Sequence, residues 1–147
     1  MSRRIAPLIT AVLLLLSTVS FQVAWAQEGV SDNDRSAIRR VIENQLAAFQ
    51  RDDGSEAFSY ASPGIQRRFG TPDNFMAMVR NGYAAVYRPQ EVEIRELRVQ
   101  GSTIQQEVLF VGPDGRPVIA VYTMQRQADG SWKINGVYLI SAPDATT

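Results

Sequence analysis

Three short turn signals in the second half of the chain, Gln100-Gly101-Ser102, Pro113-Asp114-Gly115 and Asp129-Gly130-Ser131, constrain the fold more than any other feature. Each combines a glycine, which tolerates left-handed backbone angles, with residues that bond their own backbone or preset a turn angle. The stretches between them, roughly 91–99, 103–111, 116–127 and 131–140, have strand length and are rich in β-branched and aromatic residues. Connections this short join strands that run in opposite directions, so the pattern predicts an antiparallel meander of about four strands. The first stretch alternates Val92, Ile94, Leu97 and Val99 with charged residues, as a sheet with one wet face should. The others do not: VLFV (108–111), PVIAVYTM (117–124) and VYLI (137–140) are apolar at successive positions, which requires cover on both faces. Helices can supply one cover. A second copy of the chain is the expected other, giving a homodimer through the outer sheet face.

The first half reads as helices. Residues 31–51 place Ile38, Val41, Ile42, Leu46 and Phe49 at helical spacing, with Ser31 as cap and Asp34 in the first turn. Asp52-Asp53-Gly54 interrupts this pattern, and the adjacent carboxylates are read as a helix terminus and turn. A short helix follows from Ser55 to Ala61, ended by Ser62-Pro63. Pro63 to Phe69 makes a further turn closed by Gly70, and Thr71-Pro72-Asp73 starts another helix with Phe75, Met78 and Val79 on its buried side. Asn81-Gly82 stops it, and from Ala85 onward the pattern is strand-like. The fold class expected is α+β, N-terminal helices packed on a curved antiparallel sheet.

The N-terminus is expected to stand apart from this domain. Arg3 and Arg4, the apolar run LITAVLLLL (8–16) and the small-x-small Ala24-Trp25-Ala26 form a secretory leader, with cleavage expected after Ala26. The alternative, an uncleaved anchor, is opposed by a run short of the roughly 20 residues that span a bilayer. A mature domain over 27–147 would be periplasmic or secreted, with no membrane anchor. Loss of Arg3 and Arg4 from 15 basic residues leaves 13 against 15 acidic, a net charge of −2. A nucleic-acid surface needs a basic excess, so none is expected. The pairs Arg39-Arg40 and Arg67-Arg68 read as solvated helix faces.

The chain contains no cysteine and no histidine. Disulfides, thiol nucleophiles, histidine triads and imidazole metal sites are thereby excluded. The carboxylates follow no recognised loop spacing, so neither metal nor cofactor is expected.

Four segments, IRRVIENQLAAFQRDD (38–53), AFSYASPGIQRRFG (57–70), NFMAMVRNGYAAVYRP (74–89) and YTMQRQADGSWKING (122–136), resemble an uncharacterised bacterial family, domain of unknown function 4864. The order of helices before a bent sheet is similar to the nuclear-transport-factor-2-like fold, also used by ketosteroid isomerases and polyketide cyclases. That fold usually carries a small hairpin before its last helix, and no such hairpin is legible between Ser62 and Thr71. The resemblance implies a pocket between the concave sheet face and the helices. Tyr60, Tyr83, Tyr87, Tyr122, Met124 and Trp132 fall in the regions that would line it, with Arg88 and Glu107 as nearby charges. Two readings of these aromatics stand, core filling with each hydroxyl on a backbone carbonyl, and contact with a small apolar ligand. Arg88 could clamp an anion or only pair with Glu91 or Glu93. Glu107 shares a strand face with Gln105, Leu109 and Val111; turned inward it would be a general-base candidate, turned outward a solubilising charge. A non-catalytic binding module is the preferred expectation. An enzyme using Tyr/Glu acid–base chemistry and a structural envelope component are the alternatives.

Overall fold

The structure, a computed structural model, describes residues 29–142. The expected leader and its cleavage site lie outside the described residues. Helix α1 (Asp32–Gln50) begins where Ser31 Oγ accepts the Asp34 amide at 3.1 Å, the cap expected of this sequence. Ile38, Ile42, Leu46 and Phe49 form its buried stripe. The helix ends without a glycine: Asp52 takes the left-handed conformation (φ 54°), while Asp52 N donates to Phe49 O and Asp53 N to Ala48 O. These are the paired bonds of a Schellman closure, with aspartate in the position glycine usually fills.

Three helices with side-chain caps follow: α2 (Gly54–Ser59) from Asp53, α3 (Pro63–Phe69) from Ser62 and α4 (Pro72–Gly82) from Thr71. Close packing of α2 on α4 depends on Gly54, since a Cβ there would sit 2.8 Å from Met76 Cγ. The strand pattern expected from Ala85 begins later. Ala84–Tyr87 instead forms one helical turn, α5, with Tyr87 N donating to Tyr83 O and Arg88 N to Ala84 O. Val86 and Tyr87 favour strands intrinsically, but burial of Val86 in the core decides their conformation.

The sheet is the expected antiparallel meander in the order β1-β2-β3-β4, built from Glu91–Gln100, Thr103–Val111, Pro117–Arg126 and Trp132–Ser141. Two register shifts bend it. In β1 the shift falls between Ile94 and Leu97, and the buried Gln106 donates to the carbonyls of Arg95 and Glu96 that the bulge displaces from the ladder. In β4, Thr123 pairs with Gly136 and Met124 with Ile134, leaving Asn135 as the extra residue. The chain at Tyr60–Ser62 also binds the outer edge of β4, with Ile134 N donating to Tyr60 O and Ser62 N to Ile134 O.

The inner sheet face, with Val108, Phe110, Ala120, Tyr122 and Ile134, shares one core with the helix stripes. The outer face carries cross-strand rows of Leu109, Ile119 and Ile140 and of Glu107, Val121 and Tyr138. Tyr138 and Ile140 are exposed. The sequence expectation of apolar residues on both faces therefore holds, and the helices cover one of them.

Candidate functional site

Between the helices and the inner sheet face lies a cavity of about 320 Å³, within the range of small-molecule sites, about 300–1,000 Å³. Gln45 and Phe49 of α1 border it, as do Ile65, Arg68 and Phe69 of α3. Phe75, Met78 and Val79 of α4 and Tyr83 and Val86 beyond it form another wall. Tyr122 and the segment 134–137 supply the sheet side. Each helix contributes at its own apolar spacing, so the same stripes that build the core also build the cavity wall.

The aromatic part of that wall is a continuous cluster. Phe75 lies at its centre, with ring centroids 6.2 Å from Phe49 and 5.9 Å from Phe69, and 5.4 Å from Phe58, which is outside the lining. Polar groups are few and mostly engaged. Gln45 Nε2 donates to Ala57 O at 3.1 Å, Asn135 Oδ1 accepts from Ser62 Oγ at 2.7 Å, and the Tyr83 hydroxyl donates to Val137 O at 2.8 Å. Among the buried groups Tyr122 is the exception. Its side chain is fully buried and its hydroxyl has no hydrogen-bond partner. Burial also pushes its pKa well above the ordinary tyrosine value, so it stays a neutral donor and acceptor.

Of the eight residues the sequence singles out, two line this cavity, Tyr83 and Tyr122. Tyr87 and Arg88 lie in a separate polar cluster at the end of α1. The Tyr87 hydroxyl donates to Asp52 Oδ1, Arg88 Nη2 donates to Asp52 Oδ2 at 2.9 Å, and Arg88 Nη1 donates to Phe49 O at 2.5 Å. The Arg88 guanidinium lies 4.0 Å from the Tyr87 ring centroid. Neither Glu91 nor Glu93 takes the guanidinium; Asp52 does. Hydrogen bonding from Tyr87, with Arg88 and Arg80 adding positive charge, holds the Asp52 carboxyl below its ordinary range.

Tyr60 donates to Glu56 Oε1 at 3.0 Å, and burial followed by that carboxylate raises its pKa. Met124 and Trp132 border a different depression, where Trp132 Nε1 donates to Asp34 Oδ1 at 3.0 Å and ties the start of α1 to the sheet. Glu107 faces outward. It pairs across the sheet with Val121, on the face opposite Gln106 and Tyr122, and meets Arg98 Nη1 at 3.1 Å. Phe69, Phe75 and Arg68 have no distinctive sequence motif. Their signal is spacing alone: Ile65 and Phe69 lie four residues apart in α3, as do Phe75 and Val79 in α4.

The domain of unknown function DUF4864 matches residues 31–147, most of the chain and all but the first two of the described residues. The chain belongs to that family. Its description assigns the DUF4864 domain no activity. A solved structure from Burkholderia xenovorans LB400, titled an NTF-2 like protein of unknown function, is similar at 17% identity and a TM-score of 0.47, over 76% of this chain and 89% of the other. No residue, ligand or activity carries over from so distant a likeness. No curated protein matches the DUF4864 chain.

Proposed function

We propose that this protein is a non-catalytic binding module, secreted or periplasmic, that holds a small and largely apolar molecule between its helices and inner sheet face. The observation that carries the reading is the cavity itself, about 320 Å³ between the helices and the inner sheet face and walled mainly by apolar and aromatic side chains. An apolar molecule that fills it leaves water for a largely apolar wall, at about 25 cal/mol for each Å² of apolar surface buried. The acid–base alternative finds less support, because the cavity lining includes no aspartate or glutamate and Glu107 is paired on the other sheet face. The leader read from the sequence supports an extracytoplasmic setting.

The test is native mass spectrometry of the mature protein purified from a bacterial periplasm, compared with its denatured mass. The wild type is expected to retain a small non-covalent molecule. Val137→Trp, which places an indole at the cavity, is expected to lose it. A protein that emerges empty and takes up no neutral apolar probe such as decan-1-ol would remove the binding reading. The outer sheet face supports self-association as a second element of the proposal, because Tyr138 and Ile140 expose apolar surface beside Leu109 and Val121. Sedimentation at micromolar concentration is expected to give a dimer, and Ile140→Glu a monomer; a monomeric wild type would remove this part.

A further inference from the structure

The cavity's bordering residues include one formal charge, the guanidinium of Arg68. Most arginines of this molecule that lie near sites of interest are already engaged: Arg88 and Arg80 with Asp52, Arg98 with Glu107, Arg51 with Glu56 and Arg126 with Asp34. Arg68 differs. Among the described residues it has no carboxylate within salt-bridge distance, and its nearest organised contact is the face of Phe69, with the guanidinium carbon 5.9 Å from the ring centroid. Phe69 itself borders the cavity, as Arg68 does. Arg68 is solvent-exposed, whereas Tyr122 on the central strand β3 is fully buried, so the lining runs from a wet cationic rim to a dry interior.

An isolated guanidinium at the rim of an aromatic-walled cavity has a definite chemical complement. Its planar fork of donors matches the two oxygens of a carboxylate, and charge-assisted bonds of this kind are about twice as strong as neutral ones. With no acidic residue in the lining, an anion entering here meets no like charge. We infer that the ligand is an apolar acid, its carboxylate held by Arg68 at the rim and its hydrocarbon body inserted among Phe49, Phe69 and Phe75 toward Tyr122. This deepens the binding proposal and rests on it. It adds a claim of its own, that the site discriminates by charge.

The experiment compares decanoate with decan-1-ol, the same chain without the anion, by isothermal titration at neutral pH and low salt, well below the micellar range. Decanoate is expected to bind at least tenfold more tightly, and added salt is expected to narrow the gap because the rim is exposed to solvent. Arg68→Gln should bring the ratio of the two affinities to about one, and glutamine keeps the helix propensity of α3. Arg67→Gln removes the same net charge from a neighbouring residue outside the lining and should retain the preference. Equal affinity for the two probes, or an acid preference that survives Arg68→Gln, would overturn the charge assignment and leave the binding proposal standing. Failure of both probes to bind the wild type would overturn the two together.

Discussion

Tyr87 and Tyr122 end in the same chemical group, and two regions of the molecule use it in opposite ways. Around Tyr87 the polar atoms consume one another: Asp52 accepts from the tyrosine and from Arg88, Arg80 Nη2 stands 3.8 Å from the same carboxylate, and Arg88 also closes the Phe49 carbonyl. That cluster fastens the end of α1 to the segment leading into β1. Around Tyr122 there is apolar surface and no partner. A surface crowded with chemically capable side chains can therefore be spent entirely on holding the fold, while a single hydroxyl inside is left with no partner at all. Density of polar residues and availability of polar atoms are different quantities.

The contrast is open to attack first on the cavity side, where the effects are largest. Phe75 is buried and meets three other aromatic rings, so Phe75→Ala is expected to cost about 3–5 kcal/mol in urea unfolding. A cost below about 1 kcal/mol would mean that the aromatic wall is not part of the packed core. Tyr122→Phe should act in the other direction on the empty protein, raising stability by about 1 kcal/mol as the unpaired hydroxyl is removed. A loss of stability instead would show that the hydroxyl has a partner, such as buried water, and would erase the contrast with Tyr87. Tyr83→Phe removes a hydroxyl that is bonded, to Val137 O, and is expected to cost about 0.5–1.5 kcal/mol. The two tyrosine-to-phenylalanine changes thus differ in sign because one oxygen is paired and the other is not.

The same distinction explains what could be read from the sequence. The meander was legible because its glycine-containing turns and strand-length apolar runs are local signals, and the helix starts were legible because Ser31 and Thr71 each cap within three residues of themselves and Pro63 stands in a first turn. The helical turn at Ala84–Tyr87 was not, because burial of Val86 overrides a local preference for strand. For the site, residue type identified Tyr83 and Tyr122 but also drew in Tyr87, Arg88, Trp132 and Glu107, whose partners are distant in sequence: Asp52 lies 35 residues from Tyr87, and Asp34 lies 98 from Trp132. Glu107 turned on a register that alternates every residue, which local pattern does not set when both strand faces are apolar. Arg68 was read as a solvated helix face, and it is exposed, while Phe49 and Phe75 were read only as buried stripe; only the convergence of α1, α3 and α4 gives them a common wall.

The smallest expected effect tests the spent side of the comparison through pH. Asp52 is held below its ordinary pKa of 3.8 chiefly by the Tyr87 hydrogen bond, and Asp34 chiefly by Trp132, with Ser31 and Arg126 contributing. For a carboxyl whose folded pKa is depressed, the stabilisation is fully present above the unfolded pKa and is lost as pH falls through the folded one. The urea midpoint should therefore be flat near neutrality and decline below about pH 4. Asp52→Asn and Asp34→Asn should each flatten part of that decline, modestly, because both groups are partly exposed and solvent screens such pairs. The cavity has no carboxylate in its lining, so affinity for neutral decan-1-ol should hold across the same interval until the protein unfolds. If affinity instead falls in step with protonation of Asp52, the two regions are coupled through Phe49, whose carbonyl Arg88 binds and whose ring borders the cavity, and the polar cluster would be setting the shape of the site as well as fastening the helix.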